Sequence, residues 1–410
     1  MLRTFLYSLY ALTLILVAPQ TLAQGTIKIA VLGPMAFVQG ENHWAGAEMA
    51  RDEINKSGGV RVGGKRMKIE LVRADTNEIQ SLPDATNAME RVITRDKVDF
   101  VIGGFRSEAV LSMQEVAADY RKIFLGAGAA HPQLGARVEQ NYERYKYWFR
   151  VTPLHVGDLV KASFAVMQVV AEQFRKERSV AAPKVAIIAE KAIWTEEIVK
   201  AAQASFPKMK LNVVGLWQPS ALATDVSAEM AAIKRVGADL LFTLLSGPVG
   251  VIVSRQLGEQ QLSAVAVGIN VEAQKDEFWQ ATAGKAQFSS TLETVSEVEM
   301  TPKTVPFYKA FRVRFKKGPT YNAAGTYDAL HLLRAAIEKA GSTDTDKLIP
   351  VLEKMVFTGV IGVIEFDKRH DLVFGPDRVT GIAVQWQDGE KVPFWPPNVK
   401  GMRPFKLPAR

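Results

Sequence analysis

The stretch VDFVIGGFRSEA at residues 98–109 decides the fold that we predict for this chain. The apolar run Val98–Ile102 is typical of a buried strand, and Gly103-Gly104 ends it. Apolar residues then recur at helical spacing, at Val110, Met113, Val116, Ala117 and Tyr120. A buried strand, a glycine turn and an amphipathic helix in this order form the repeating unit of a parallel sheet.

The same alternation continues on both sides of that stretch. The strand patterns around it lie at Thr26–Leu32, Met67–Ala74 and Ile123–Leu125, and the helical patterns between them lie at Gly46–Lys56 and Leu82–Ile93. After Arg150 the alternation begins again, and the predicted strands lie at 184–189, 211–216, 239–245 and 264–269. We therefore predict an α/β fold of two similar units, each a parallel sheet covered by helices on both faces.

The C-terminal third has a different pattern. Helices are predicted at 306–315, 323–339 and 345–355, but strands only at 361–366 and 381–387, before a Gly389 turn and a proline-rich tail. These strands are too few for a third sheet. We expect this segment to return to both α/β units and complete them.

The first residues have the pattern of a cleavable secretory signal. Arg3 supplies a positive charge, Phe5–Val17 is mostly apolar, and Thr21-Leu22-Ala23 offers small residues to signal peptidase. The apolar run is shorter than the roughly 20 residues of a membrane-spanning helix. We therefore expect residues 1–23 to be a signal peptide and the mature chain to begin near Gln24 or Gly25.

Composition excludes several classes of protein. The chain has no cysteine, which excludes disulfides, thiolate metal sites, cysteine nucleophiles and a lipid-modified N-terminal cysteine. We therefore expect a freely diffusing periplasmic protein that is not a lipoprotein. The net charge of +8 is spread along the chain, and no aromatic-basic groove indicates nucleic-acid binding.

Motifs that resemble enzyme sites fail in their context. Gly59–Lys65 is close to a phosphate-binding loop, but it follows a helix, precedes a strand and lacks the final serine or threonine. We predict a glycine turn there. No two of the five histidines have metal-ligand spacing, and no nucleophile motif is present. We expect neither a cofactor nor enzymatic activity.

Five segments together resemble the type I periplasmic binding proteins, in their leucine/isoleucine/valine-binding branch. They are IKIAVLGP at 27–34, AGAEMARDEINKSGGVRVGGKRMKIELVRADT at 45–76, VDFVIGGFRSEA at 98–109, TYDALHLLRAAIEKAGS at 326–342 and GVIGVIEFDKRHD at 359–371. The resemblance covers nearly the whole mature chain. It implies two Rossmann-like lobes, joined by three crossovers, that close on a ligand in a central cleft.

The resemblance also implies domains and a function. The first lobe is expected at 24–150 plus 295–358, and the second at 151–294 plus 359–410. The expected function is capture of a small amino-acid-like, carboxylate or amide solute by a monomer that delivers it to the membrane permease subunits of an ABC importer. The alternative is a periplasmic sensor of the same fold that feeds a receptor or regulator.

In the first lobe, candidate ligand residues follow two strands. The resemblance implies that Ser107 contacts the ligand's carboxylate, whereas its alternative role is only to cap the helix. Arg106 either pairs with the same carboxylate or is a solvated loop residue. Ala129 and Ala130 offer backbone N–H groups, and Ala130 stands where the family has a threonine. Trp44, in the loop expected after the first strand, is a further residue that could line the ligand cleft.

In the second lobe, the resemblance implies four further contacts. Trp194 stands where the family has an aromatic residue, with a place in the core as its alternative. Ser246 follows the predicted strand 239–245. The family holds the ammonium group of an amino acid with an acidic residue at the position of Asn270, and Glu272 follows two residues later. If Asn270 contacts the ligand, the ligand is expected to be an amide or a carboxylate without an amine. If Glu272 contacts it, an amino acid is expected, and both assignments are open at this point.

Overall fold

The computed structural model describes residues 25–409, so the expected signal peptide lies outside the described residues. Two sheets organise the chain, as predicted, and the first contains six strands. These strands are β1 Thr26–Gly33, β2 Val60–Val62, β3 Lys65–Asp75, β4 Phe100–Gly103, β5 Phe124–Gly126 and β6 Trp148–Arg150. The helices of this part are α1 Val38–Lys56, α2 Leu82–Thr94, α3 Ser107–Asp119, α4 Gln133–Gln140 and α5 Tyr142–Tyr145.

The first sheet has the order β2-β3-β1-β4-β5-β6 and is parallel except for the short hairpin strand β2. Ile29 on β1 pairs with Leu71 on β3 and with Phe100 on β4, so the chain changes direction across the sheet at β1. Along β1, Ile29 and Val31 pack into one hydrophobic core and Ala30 into another on the opposite face. Burial on both faces explains why this strand is an unbroken apolar run. We call this sheet with its helices the first lobe.

The second sheet has four parallel strands in the order β10-β9-β7-β8. Its strands are β7 Lys184–Ala189, β8 Asn212–Trp217, β9 Leu240–Leu245 and β10 Val265–Asn270, and its helices are α6 Val156–Arg178, α7 Ile193–Ser205, α8 Ser227–Arg235 and α9 Val249–Glu259, with 3₁₀ helices at Pro207–Met209 and Val271–Gln274. Here β7 takes the central position that β1 has in the first sheet. We call this sheet with its helices the second lobe.

The remaining elements are α10 Phe278–Ala281, β11 Ser290–Glu293, α11 Thr304–Phe315, α12 Tyr321–Ala340, α13 Thr345–Glu353, β12 Phe357–Thr358, β13 Val363–Ile364, β14 Ile382–Gln387 and β15 Glu390–Trp395. The expectation that they form no third sheet was wrong. An antiparallel sheet in the order β11-β14-β15 lies beside β10, where the Ser290 hydroxyl donates to the Ala266 carbonyl at 3.0 Å. Neither β11 nor β15 alternates clearly in sequence, and β15 contains Pro393, which only an edge strand tolerates.

The C-terminal helices return to the first lobe, as predicted. Helix α12 packs on α1 so closely that a Cβ on Gly46 would lie 2.2 Å from the Ala323 carbonyl oxygen. His43 on α1 is hydrogen-bonded to Thr326 at 2.7 Å, and burial lowers the pKa of its imidazole to about 3. The chain passes between the lobes three times: after β6, between β11 and α12, and between β13 and β14.

Helix α1 differs from its prediction in a way that moves a candidate residue. It begins at Val38 rather than Gly46. The prediction missed the first turns because they bury the polar residues Gln39 and Asn42 and carry no apolar stripe. Trp44 therefore lies within a helix and not in a loop, with the Arg73 guanidinium 5.8 Å from its ring. The glycine turn predicted near Gly59–Lys65 is confirmed as the β2–β3 hairpin. No helix in residues 25–409 combines the length and apolarity needed to cross a membrane.

Candidate ligand-binding site

A cavity lies between the carboxyl ends of the two sheets, where ligands bind in open α/β folds. It contains about 570 Å³ of space, part of it open to solvent. The first-lobe side and α6 supply Phe105, Arg106, Ser107, Gly128, Ala130, Pro153, Leu159 and Tyr321, and the second-lobe side supplies Trp194, Ser246, Ile269, Val271, Gln274, Leu292 and Glu293. Residues from both lobes thus surround one space.

The loop from β4 to α3 is fixed by a buried carboxyl group. Gly103 and Gly104 turn the chain with φ angles of 115° and 77°, a region that L side chains rarely adopt. Glu78 then accepts the backbone N–H groups of Phe105 and Arg106, the latter at 2.7 Å. Burial raises the pKa of Glu78 to about 7, although these hydrogen bonds oppose the shift.

The structure brings Arg106 and Ser107 to the cavity, as expected. Arg106 occupies the position that precedes α3, so Ser107 does not have the capping role considered as its alternative. The Ser107 hydroxyl accepts the His131 N–H at 3.3 Å. The Arg106 guanidinium is not solvated: it lies 3.3 Å from Glu108 and 4.0 Å from Glu190, and its Nε has no hydrogen-bond partner among the described residues.

The two predicted alanines lie in the loop after β5, but only one of them faces the cavity. Ala130 lines the cavity, but Ala129 is buried behind it and does not. The Arg150 side chain holds this loop, because it donates to the carbonyl oxygens of Ala129 and His131. Arg150 is in turn paired with Asp371 at 2.6 Å, and both side chains are buried. An ion pair between two residues that are 221 positions apart therefore holds the β5–α4 loop, which forms part of the first-lobe rim.

In the second lobe, Trp194 and Ser246 both line the cavity and share a partner, Glu190. The Trp194 indole donates to the Glu190 carboxylate at 3.2 Å. The same carboxylate accepts the N–H groups of Ser246 and Gly247, each at 2.8 Å, and the Ser246 hydroxyl. The indole also belongs to the main hydrophobic core, so it is both a core residue and a wall of the cavity.

Neither candidate for the ammonium contact lines the cavity. The Asn270 amide donates to the Gly250 carbonyl at 3.1 Å and therefore faces α9. The Glu272 carboxylate accepts the Gln39 amide at 3.1 Å and also pairs with Lys275. Trp44 is not part of the cavity wall either. These three assignments are corrected, because each side chain is turned toward another element.

Sequence reasoning missed several residues of the wall. Glu293 and Leu292 come from β11, the strand that was not predicted, and Gln274 comes from the 3₁₀ helix after β10. Tyr321 begins α12 and donates to the Gly128 carbonyl at 3.2 Å. The one sequence signal for Glu293 was that it is the single charged residue in the stretch FSSTLETVS at 288–296.

Several hydrogen bonds connect the lobes across the cleft. The Gln39 amide donates to the Ser246 carbonyl at 3.2 Å as well as to Glu272, and the Ile193 N–H donates to the Glu108 carboxylate at 3.0 Å. These contacts, together with Arg106 and Glu190, join the rims of the cavity. The structure therefore represents a closed arrangement of the two lobes.

The site combines polar groups with apolar surface. Its polar side-chain groups are one guanidinium, two hydroxyls, a phenol, an amide, a carboxyl and an indole N–H, set in a mostly apolar wall. In residues 25–409, no group of three histidine, aspartate or glutamate side chains has the geometry of a metal site.

Comparison with known proteins agrees with this architecture. The sequence profile of the family described as "Periplasmic binding protein" matches residues 26–383. An amino acid binding protein of Pseudomonas aeruginosa is 27% identical over 378 residues, which cover 90% of this chain and 93% of that protein. Other matching proteins are named as Leu/Ile/Val-binding proteins.

Two solved structures share the fold. The branched-chain amino acid transporter substrate binding protein LivJ from Streptococcus pneumoniae, in complex with isoleucine, has a TM-score of 0.73 and 22% identity, covering 89% of this chain and 97% of that one. An ABC transporter solute binding protein from R. palustris, in complex with benzoate, has a TM-score of 0.73 and 20% identity, covering 90% and 95%. The chain therefore belongs to the periplasmic binding protein family, in its leucine/isoleucine/valine-binding branch, and is a periplasmic solute-binding protein.

Proposed function

We propose that this protein captures a small solute with a carboxylate group and an apolar body, and delivers it to the membrane permease of an ABC importer. The observation that carries the proposal is the cavity between the lobes, where Arg106 and Ser107 meet a mostly apolar wall. The protein carries out no chemical step in this proposal, so the solute is released unchanged.

The carboxylate is assigned to the start of α3. The first N–H groups of a helix have no acceptor within the helix, and the helix dipole favours negative charge at this end. Ser107 adds a hydroxyl at the first helical position, and the buried Arg106 Nε is available as a donor. Glu78 already accepts the N–H groups of Phe105 and Arg106, so the ligand meets the amides that follow them.

The apolar body of the solute is assigned to the remaining wall. Phe105 comes from the first lobe, and Leu159 on α6, Trp194, Ile269 and Val271 come from the second. Burial of apolar surface contributes about 25 cal/mol per Å² to such contacts. Isoleucine and benzoate, bound by two proteins of the same fold, each combine a carboxylate with an apolar body.

Closure supplies the signal for transport. Gln39 and Glu108 of the first lobe bind groups of the second lobe across the cleft, so an open form must lose these hydrogen bonds. A ligand that contacts both lobes shifts the population toward the closed form. The permease then distinguishes the loaded protein by its closed surface.

The test compares carboxylates with their amides. The protein, purified after export, is titrated calorimetrically with leucine and leucinamide, and with 3-phenylpropanoate and 3-phenylpropanamide. We expect each carboxylate that binds to do so at least about tenfold more tightly than its amide, a difference of about 1.4 kcal/mol. Equal affinities within each pair, or no binding of any carboxylate, would overturn the proposal.

The role of Arg106 is tested with the same compounds. Arg106→Ala is expected to weaken carboxylate binding at least about tenfold, because the wall loses its guanidinium donor. Arg95→Ala removes an equal charge from an exposed position outside the cavity and serves as the control. An unchanged dissociation constant for Arg106→Ala would exclude this residue from carboxylate recognition.

A further inference from the structure

Glu293 is a buried carboxyl group that has no well-formed hydrogen bond within residues 25–409. It is the last residue of β11, is 2% exposed and lines the cavity. Neither carboxyl oxygen has a hydrogen bond of ordinary length and angle among the described residues, although the Ser296 side chain lies close enough to oppose the rise in the pKa of Glu293. Buried polar groups are nearly always hydrogen-bonded, and an isolated buried charge is costly. A ligand in the cavity is therefore the natural source of the missing partner.

The charged groups around Glu293 do not fill this role. The Lys391 ammonium lies 3.4 Å from Asp276 and donates to the Gln274 carbonyl, and among the described residues no ion pair joins it to Glu293. Tyr308 and Asp276 also face this region and add no positive charge. Burial raises the pKa of Glu293 to about 7, although the charge of Lys391 opposes the shift.

Gln274 provides a second acceptor in the same part of the wall. Its amide nitrogen donates to the Leu292 carbonyl at 3.1 Å, whereas its Oε1 is buried without a partner. The cavity thus has unsatisfied acceptors on the second lobe, at Glu293 and Gln274, and unsatisfied donors on the first lobe at Arg106. Such an arrangement fits a ligand that carries a donor group and an acceptor group.

We propose that Glu293, with Gln274 as a second acceptor, binds a primary ammonium group of the solute. The proposal rests on the proposed function and narrows the solute to one that carries both a carboxylate and an amine. It places the acidic contact on β11, and not at Asn270 or Glu272 beside the end of β10, since both of those side chains are engaged elsewhere. Glu293 is then the residue that distinguishes an amino acid from a simple carboxylic acid.

The experiment uses pairs of compounds that differ only in the amine. The pairs are leucine and 4-methylpentanoate, phenylalanine and 3-phenylpropanoate, and glutamine and 4-carbamoylbutanoate. The wild-type protein is expected to bind the amino acid of at least one pair about 100-fold more tightly than its partner. Glu293→Gln keeps the shape of the side chain, and should remove most of this preference by weakening the amino acid while leaving the simple acid unchanged.

The control variant is Glu297→Gln, which removes a carboxylate from a more exposed position a few residues beyond the same strand and outside the cavity. It should retain the wild-type preference. Circular dichroism of each variant shows whether it is folded. If Glu293→Gln does not fold, the preference of the wild-type protein and its dependence on pH decide the question.

The pH dependence supplies an independent readout. The ligand's ammonium stays protonated between about pH 5.5 and 8.5, whereas Glu293 ionises near pH 7. Affinity for the amino acid should therefore rise through this range, and Glu293→Gln should flatten the rise. Glu78 also has a pKa of about 7 and lies near Arg106, so the comparison with Glu293→Gln isolates the second-lobe group.

The possible outcomes separate the two proposals. Binding of simple acids without binding of amino acids would overturn the role of Glu293 and leave the carboxylate proposal intact. An amino-acid preference that persists in Glu293→Gln would also overturn it. If no compound of any pair binds, both the proposed function and the role of Glu293 fail.

Discussion

The two lobes form their sides of the cleft with the same device but support it differently. In the first lobe Glu78 accepts backbone N–H groups from the β4–α3 loop, and in the second lobe Glu190 accepts them from the β9–α9 loop. Each carboxyl group fixes the loop that follows a strand next to the centre of its sheet. The two rims are therefore built alike although the sequences show no internal repeat.

The difference lies in what stands behind each rim. The first rim is supported by the buried ion pair between Arg150 on β6 and Asp371. Within the part of the chain that the structure describes, no such pair stands behind Glu190. Its carboxylate instead faces the Arg106 guanidinium across the cleft at 4.0 Å, and the neighbouring Ser246 carbonyl accepts the Gln39 amide. The first rim thus has a buried ion pair as its support, whereas the second rim is held mainly by contacts across the cleft, which the proposed opening would break. A loop geometry common to both lobes can therefore be supported from behind in one lobe and across the cleft in the other.

The largest expected effect comes from breaking the support of the first rim. Asp371→Ala leaves the Arg150 guanidinium buried without its counter-charge, which costs about 3–5 kcal/mol of unfolding free energy. Urea denaturation measures this loss. Arg369→Ala, which breaks an exposed pair with Glu139, is the control and should cost at most about 1 kcal/mol. Similar small losses in both variants would show that the first rim does not depend on the buried pair.

An intermediate effect concerns the carboxyl group that fixes the first rim. The pKa of Glu78 rises from 4.5 to about 7 on folding, so between these values the folded state binds more protons than the unfolded state. The stabilisation is complete below pH 4.5 and is lost as pH rises through about 7. The contribution is on the order of 3 kcal/mol.

Glu78→Gln tests this contribution by urea denaturation at several values between about pH 5 and pH 8. The variant should lose less stability over this range than the wild-type protein, while the similar contributions of Glu293 and Asp328 persist. Glu90→Gln, at an exposed position on α2, should behave as wild type. An identical pH profile for Glu78→Gln and wild type would contradict the assignment.

The smallest effect is expected at the second rim, where contacts form only on closure. Gln39→Ala removes the hydrogen bonds to the Ser246 carbonyl and the Glu272 carboxylate, and these contribute about 1–2 kcal/mol. Affinity for the solute should fall about tenfold, with the urea midpoint nearly unchanged. Gln168→Ala on α6, at an exposed position, is the control. A large loss of stability without loss of affinity would make Gln39 a part of the scaffold instead.

Much of the fold could be predicted, because long elements buried on one or two faces leave a periodic pattern. Strand β7 was predicted with its observed bounds, and β1 to within one residue at its end. The failures lie where the pattern is absent. The start of α1 is lined by buried polar residues, β11 has only four residues, and β15 is an edge strand that contains a proline.

The candidate site was predicted in part for a related reason. Arg106, Ser107, Ala130, Trp194 and Ser246 line the cavity because they follow strands of the two sheets at the edge where ligands bind. Asn270 also follows such a strand, but its side chain faces α9. Position along the chain predicts the edge of the sheet that a residue reaches, and not the direction in which its side chain points.

The sequence by itself determined the two α/β units and the order of their elements, since these follow from local periodicity and from the glycines that end strands. Only the tertiary structure decided which acidic residue lines the cavity. Glu272 is held by Gln39, which lies 233 positions away along the chain, and Glu293 reaches the cavity because β11 packs beside β10. Partners so distant leave no local pattern, and one residue's shift along a strand turns a side chain to the opposite face.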